Sequence, residues 1–208
     1  MKEWIDRVFG GPAKPHVHRL IELDELCGPD LPTLERLTEV FENAAVLLEP
    51  FSDESLNQSF WDLNSNVLFA LNRESIEWAV RHRLVRSFET LFRELFAMRC
   101  RPVLGHLNEE GSPLNSACYM WWDLGCWSST PDPLSQNPLD SAFLSSMRAI
   151  LAIEHTACQE SALHGLGHWH IDHGAAVEAI IEEFLKRERH ISEQLREYAN
   201  SARTGRLL

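Results

Sequence analysis

Apolar residues recur at helical spacing along most of this 208-residue chain. Between Pro32 and Pro50 the apolar positions stand three and four residues apart, which makes one wide stripe on a helix. Similar patterns predict helices over residues 54–71, 73–100, 114–127 and 139–153. Ser52 or Asp53, ahead of the second of these helices, is a suitable N-cap. The pattern predicts an all-α fold.

The most regular helical pattern runs from Glu154 to Leu185. It predicts a helix from about Thr156 to Ile171 and a turn over residues 172–174. A second amphipathic helix is then predicted from Ala175 to about Arg189. This stretch also holds five of the ten histidines, so any histidine chemistry is expected here.

A short motif recurs at an offset of 42 residues, because Leu124-Gly125-Cys126-Trp127 matches Leu166-Gly167-His168-Trp169. A period near 40 with two helices per unit is typical of HEAT-type repeats. Over residues 83–190 the chain resembles a HEAT-like α-helical repeat protein. The resemblance implies antiparallel helix pairs stacked as an α-α superhelix. Gly165 and Gly167 weaken a helix by roughly 1 kcal/mol each, so we expect them where packed helices come close.

The chain is predicted to form one helical domain over residues 1–208. Irregular N-terminal helices are expected in 1–30, regular helices in 31–100 and the HEAT-like helix pairs in 101–200. The polar N-terminal sequence is unlike a signal peptide, and no apolar run has the length of a membrane span. The five cysteines form no CxxC pair, which favours reduced thiols and a cytoplasmic protein.

The charge balance indicates the class of partner. The formal net charge of −12 should repel nucleic acids and anionic membranes, so the expected partner is another protein with a basic surface. HEAT-like enzymes such as the deoxyhypusine hydroxylases bind iron through His-Glu pairs, whereas this chain has Glu154-His155 in the reverse order. The resemblance therefore implies a non-enzymatic protein-binding scaffold, without a cofactor. Charge and size alone favour one form of it, an immunity-like protein that inhibits a basic toxin enzyme.

The alternative is a metal-binding protein or metal-dependent enzyme. Glu160, His164 and His168 stand four residues apart and so share one helix face. Two such histidines and a carboxylate are a ligand set for a transition metal such as zinc or iron. The corresponding positions of the upstream motif hold Trp122 and Cys126, which instead favours a structural role for the histidines.

Other candidate residues belong to three groups. The hypothesis of a protein partner assigns its contact to Trp127, Trp169, His170 and His173. A basic run of Arg81, His82, Arg83 and Arg86 is expected to be solvated or paired, with an anion or carboxylate site as the alternative. Finally, Cys158 follows His155 by three residues, so the two side chains can meet on one helix face; a buried, inert thiol is the commoner outcome.

Overall fold

The computed structural model describes residues 1–10, 31–124, 138–188 and 190–207. No strand occurs among these residues, so the prediction of an all-α fold is confirmed. The α-helices are α1 (Lys2–Phe9), α2 (Leu31–Glu42), α3 (Ala44–Leu47), α4 (Asp53–Asn66), α5 (Trp78–Leu91), α6 (Ala97–Arg99), α7 (Asn115–Tyr119), α8 (Trp121–Leu124), α9 (Pro138–Ile150), α10 (Thr156–Arg187) and α11 (Glu193–Ala202). Two 3₁₀ turns, Leu68–Asn72 and Gly105–Leu107, and a π-helical turn, Phe92–Phe96, complete the regular structure.

Side chains set the ends of the early helices. Ser52 caps α4, since its Oγ accepts a hydrogen bond from the Ser55 amide at 3.2 Å, as the sequence predicts. The helix expected from Pro32 to Pro50 is instead divided at Asn43, which lies between α2 and α3. The Asn43 side chain donates to the Glu39 carbonyl at 2.8 Å, a local bond that competes with helix continuation.

The long helical segment before residue 100 begins at Trp78 instead of the predicted residue 73. Its irregularity lies at the π-helical turn, where the Ala97 amide bonds to the Phe92 carbonyl five residues earlier. Turns of this kind are most often single insertions within an α-helix.

The long helices pack as a series of neighbours. Helix α2 lies on α5, α5 on α9, α9 on α10, and α10 on α11. The short helices α7 and α8 fill the space between α4 and α10. This arrangement brings the middle of the chain against the helix that carries four of the ten histidines.

Trp121 of α8 lies at the centre of the aromatic core. It is almost completely buried, and five phenylalanine rings surround it with centroids 5.3–6.1 Å away. Most of these contacts are edge-to-face, the geometry that aromatic quadrupoles prefer. The five rings are Phe41, Phe60, Phe88, Phe92 and Phe96. The core therefore fixes α8 firmly in place.

The two helices predicted on either side of residues 172–174 meet at a kink at His173 and together form α10. His173 alone departs from helical geometry, with φ −130° and ψ 30°, so the chain bends there within one helix. A single non-helical residue kinks a helix without the loop that a turn would need. The first copy of the repeated motif continues into residues 125–127, outside the described residues, and the HEAT-like superhelix stays a prediction. The expected irregular segment of residues 11–30 also lies outside them.

The end of the chain packs back onto α10. Gly205 has a φ of 66°, a left-handed conformation that suits glycine. The Gly205 and Arg206 amides bond to the Ala202 and Ser201 carbonyls, each at 3.0 Å, which closes α11 in the manner of a Schellman motif. Leu207 is thereby placed against Gly167.

No helix in the described ranges combines the length and the apolar character needed to cross a bilayer.

Candidate metal site

Two asparagines of α4 hold the backbone that carries Asp123. The Asn64 side chain donates to the Trp121 carbonyl at 2.8 Å, and the Asn57 side chain accepts from the Ala117 amide at 3.0 Å. Asparagine is a poor helix former, and at these two positions the tertiary hydrogen bonds explain its presence. With Trp121 buried in the core, α8 ends in a fixed orientation that points Asp123 toward α10.

Gly165 allows α8 to lie directly against α10. A Cβ atom at this position would lie 2.5 Å from Cγ of Trp122 and 2.8 Å from Sδ of Met147, both closer than real Cβ contacts allow. Gly167 is similarly crowded, by Leu207. The expectation that packed helices come close is confirmed at Gly165, whereas at Gly167 the space is filled by a side chain of the C-terminal tail.

Asp123, His164 and His168 converge on one point. The Nε2 atom of His164 lies 2.9 Å from Oδ2 of Asp123, and Nε2 of His168 lies 3.2 Å from Oδ1 of the same carboxylate. The two Nε2 atoms are 3.2 Å apart. Within the described part of the chain, these are the three potential metal ligands whose donor atoms cluster together.

These distances match the requirements of one bound ion. Ligand atoms that each stand about 2.0–2.2 Å from a zinc or iron ion are about 3 Å apart when they occupy neighbouring positions. Two histidines and a carboxylate on one face leave the other coordination positions open. The His164 side chain is buried, whereas His168 is 52% exposed and Asp123 21% exposed, so the open face is accessible from solvent.

The two tyrosines behind His164 form an outer layer of the site. The Tyr198 hydroxyl lies 2.6 Å from Nδ1 of His164 and 3.3 Å from the Tyr119 hydroxyl. The Tyr119 ring also contacts the His164 ring, with centroids 4.6 Å apart. With Nδ1 engaged in this way, Nε2 is the atom of His164 that faces Asp123 and is available to a metal.

Burial raises the pKa of both tyrosines, and for Tyr198 the neighbouring Tyr119 hydroxyl raises it further. Both therefore stay protonated at physiological pH and can donate hydrogen bonds. When Nδ1 of His164 carries a proton, it donates to Tyr198, and Tyr198 can donate onward to Tyr119. In the tautomer with its proton on Nδ1, Nε2 of His164 no longer donates to Asp123 and its lone pair is available to a metal.

The carboxylate and His168 stabilise each other's charged forms. Burial alone would raise the pKa of Asp123, but the hydrogen bonds from His164 and His168 outweigh it and hold the pKa well below its ordinary value. The hydrogen bond with Asp123 raises the pKa of His168 against the effect of burial. Asp123 is thus anionic at neutral pH, the state that a metal ligand requires.

Glu160 does not join the two histidines, contrary to the set inferred from the sequence. Its buried carboxylate accepts hydrogen bonds from the amides of Gly105, at 2.7 Å, and His106, at 3.0 Å. Nδ1 of His106 lies 2.5 Å from the same carboxylate. Residues four apart on a helix are offset by about 40° at each step, so Glu160 and His168 face directions about 80° apart. Glu160 therefore anchors the 105–107 turn.

The residues assigned to a protein partner are held within the fold where they are described. Trp169 is only 7% exposed and packs on Phe143, which does not fit a role as an exposed anchor. The His173 ring stacks on Trp169, and its Nε2 lies 3.2 Å from Asp140. The His170 Nε2 lies 3.4 Å from Glu178. Trp127 lies outside the described residues.

A group of thiols lies at the start of α10. Cys100, Cys118 and Cys158 are buried and free, and His155 precedes the helix as its N-cap. The neighbouring Cys118 thiol lowers the pKa of Cys158 to about 6 despite burial, with His155 contributing in the same direction. Burial raises the pKa of Cys118. Cys158 thus lies near enough to His155 for the imidazole to lower its pKa, but its thiol donates to the Phe92 carbonyl at 3.9 Å and is enclosed by the core.

Asp123 is the site residue that sequence reasoning missed. It stands 41 residues before His164, and no helical periodicity relates residues so far apart. The available signal was its place in the motif region Trp121 to Trp127, beside the upstream copy of the histidine motif.

Comparison of the chain with protein-family models, with curated proteins and with solved structures gives no match. The assignment of function therefore depends on the geometry of Asp123, His164 and His168.

Proposed function

We propose that this protein binds one divalent transition metal ion, such as zinc or iron, through Asp123, His164 and His168. One observation supports the proposal: the three donor atoms lie 2.9–3.2 Å from one another, the spacing of neighbouring ligands around a single ion. The pair His164 and His168 belongs to the metal alternative drawn from the sequence, while Asp123 replaces Glu160 as the carboxylate.

The open coordination positions give the proposed site a catalytic character. Structural zinc sites are closed by four protein ligands, whereas catalytic sites keep a position for water or substrate. A metal in this position would act as a Lewis acid and lower the pKa of a bound water. Metal-bound histidines usually donate a hydrogen bond from their other ring nitrogen, and the Tyr198 hydroxyl is placed to accept it from Nδ1 of His164.

The test is the metal content of protein purified without a histidine tag. The purified protein is stripped with a chelator, dialysed against zinc or iron(II), and measured by inductively coupled plasma mass spectrometry. Wild-type protein should hold about one ion per chain. The variants Asp123→Asn, His164→Ala and His168→Ala should lose it, while His190→Ala, which removes an exposed histidine, should keep it.

Circular dichroism of each variant establishes that it is folded before its metal content is compared. Stoichiometric metal in a folded double variant, His164→Ala with His168→Ala, would contradict the proposal. So would wild-type protein that holds no metal after reconstitution.

A protein-binding scaffold is the second candidate, supported by the net charge of −12 and by an exposed apolar residue near the site. Ile171 on α10 is 86% exposed and stands three residues after His168. A basic partner that co-purifies from the native host should be lost in Ile171→Asp. It should be retained in Val46→Asp, a matched change at another exposed apolar position. Equal retention in both variants would argue against a contact at this surface.

A further inference from the structure

The basic run on α5 separates into two pairs of residues with different surroundings. Arg81 turns back along the chain, where it donates to the carbonyls of Ile76, at 3.0 Å, and Leu71, at 3.2 Å. Arg83 forms a two-pronged ion pair with Glu42, with Nε 2.9 Å from Oε1. The charge of Arg83 is therefore paired with Glu42, while the Arg81 guanidinium is held by the two carbonyls and lies over the Trp78 ring, 5.7 Å from its centroid.

His82 and Arg86 instead face a groove between α5 and α9, with a volume of about 640 Å³. A groove of this size is in the range of small-molecule sites. On the α5 side, the Trp78 and His82 rings lie against each other, tilted by 30°, with centroids 5.0 Å apart. They form an aromatic wall, with the Arg86 guanidinium one turn beyond His82 along the helix.

The opposite wall is made of small side chains. Ser141, Ser145 and Ala149 recur every four residues on α9 and line the groove. Their small size lets a flat molecule approach the α9 backbone closely. The Ser141 and Ser145 hydroxyls add polar groups to this wall, so the groove combines an aromatic face with hydrogen-bonding partners.

The groove carries a local positive charge, because its acidic residue is paired with an arginine. Glu89 lines the groove, but its carboxylate lies 2.7 Å from Arg93 and is neutralised by it. Arg86 therefore makes the groove locally cationic on a chain with a net charge of −12. Such a local reversal favours a small anion and disfavours a polyanion, which the rest of the surface would repel.

We infer that this groove binds a small aromatic carboxylate. The guanidinium of Arg86 matches the planar geometry of a carboxylate and can donate two parallel hydrogen bonds to it. Trp78, which is 37% exposed, and His82 supply aromatic surface that a planar ring can contact. The proposal does not depend on the metal site, which lies on other helices, so either can fail alone.

The experiment uses 2-naphthoate as the probe and isothermal titration calorimetry as the measurement, on the full chain at fixed ionic strength. The uncharged 2-naphthamide is the matched ligand control. Arg86→Gln should weaken naphthoate binding by about tenfold or more, the effect of losing a charged hydrogen bond. Arg101→Gln removes the same charge from an exposed position outside the groove and should leave binding unchanged.

A second variant tests the aromatic wall. Trp78→Leu should weaken the binding of 2-naphthoate. It should leave the weaker binding of acetate unchanged, because acetate has no ring to contact Trp78. Naphthoate binding that is absent at millimolar concentration would overturn the inference, as would equal affinity for naphthamide. Equal losses in Arg86→Gln and Arg101→Gln would also overturn it, since they would show an effect of net charge alone.

Discussion

The Nε2 atoms of His164 and His168 lie 3.2 Å apart, and both face oxygens of the Asp123 carboxylate. Two imidazole nitrogens at this distance repel each other if both carry protons or both present lone pairs. A cation between them removes the repulsion, because both lone pairs and the carboxylate then bind the same ion.

Zinc should therefore stabilise the folded protein. At a free zinc concentration 100 times the dissociation constant, the free energy of unfolding should rise by about 2.7 kcal/mol. Denaturant titrations with and without zinc measure this difference, and Asp123→Asn should abolish it. An equal rise in the wild type and in Asp123→Asn would mean that the ion binds elsewhere.

Tyr198→Phe should reduce metal affinity by about 10- to 100-fold, because it removes the hydrogen bond at Nδ1 of His164. Competition with a chromophoric chelator measures the change. Tyr119→Phe is the matched control, since the Tyr119 hydroxyl reaches His164 only through Tyr198 and should matter less. A larger effect of Tyr119→Phe would reverse the assigned order of the two hydroxyls.

Gly165→Ala should destabilise the fold and displace α8, because the new Cβ would lie 2.5 Å from Cγ of Trp122. Overpacking of this kind costs about 1–3 kcal/mol. Metal affinity should fall as well, since Asp123 follows Trp122 directly. Gly174→Ala is the control on the same helix, where the nearest side-chain atom would be 3.5 Å away. Denaturation of both variants shows whether the crowding at Gly165 is specific.

Glu160→Gln should lower stability and leave metal content unchanged. The carboxylate accepts hydrogen bonds from the amides of Gly105 and His106 and contacts the His106 ring, and an amide group turns one acceptor into a donor. A cost of about 2–3 kcal/mol is expected for a hydrogen-bonded buried charge. Glu178→Gln, at a more exposed carboxylate, should cost less than about 0.5 kcal/mol. Metal loss in folded Glu160→Gln would restore Glu160 as a ligand.

The Cys158 thiol should make stability rise with pH between about 6 and 9. Its folded pKa of about 6 is below the ordinary thiol value of 9.0, so the unfolded chain holds more protons in that interval. The contribution is present above the unfolded pKa and is lost as the pH falls through about 6. His155 opposes this rise, because its pKa is raised from 6.5 in the folded protein and its stabilising contribution is lost as the pH rises from 6.5 through the raised pKa.

Urea denaturation under reducing conditions at several pH values measures this slope, and Cys158→Ala should flatten it. Cys27→Ala provides a second thiol deletion for comparison. An unchanged slope in Cys158→Ala would show that the thiolate is not stabilised in the folded protein.

Local patterns predicted much of this fold. The helical periodicity located most helices, and Ser52 was recognisable as a cap because capping depends on neighbouring residues. The kink at His173 lies inside the turn predicted over residues 172–174, although the helix resumes there without a loop. The π-helical turn at Phe92–Phe96 was missed, because a periodic pattern does not distinguish a π-helical turn from the α-helix around it.

The candidate site divides in the same way. His164 and His168 share a helix face, so their spacing predicted that they would lie together. The choice between Glu160 and Asp123 depended on the loop at His106 and on the position of α8. Spacing along α10 predicts neither contact. The contact of Glu160 depends on a turn 55 residues earlier, and the position of Asp123 depends on the aromatic core around α8.

The position of Trp121 at the centre of the core and two residues before Asp123 has a consequence for mutational scans. Substitutions at Phe41, Phe60 or Phe96 would alter the packing of Trp121 and so shift a ligand that they do not touch. A screen for metal-dependent activity would therefore score these phenylalanines as functional residues. Measured separately, folding stability and metal affinity should fall together across such a series, which would distinguish these residues from those that contact the ion.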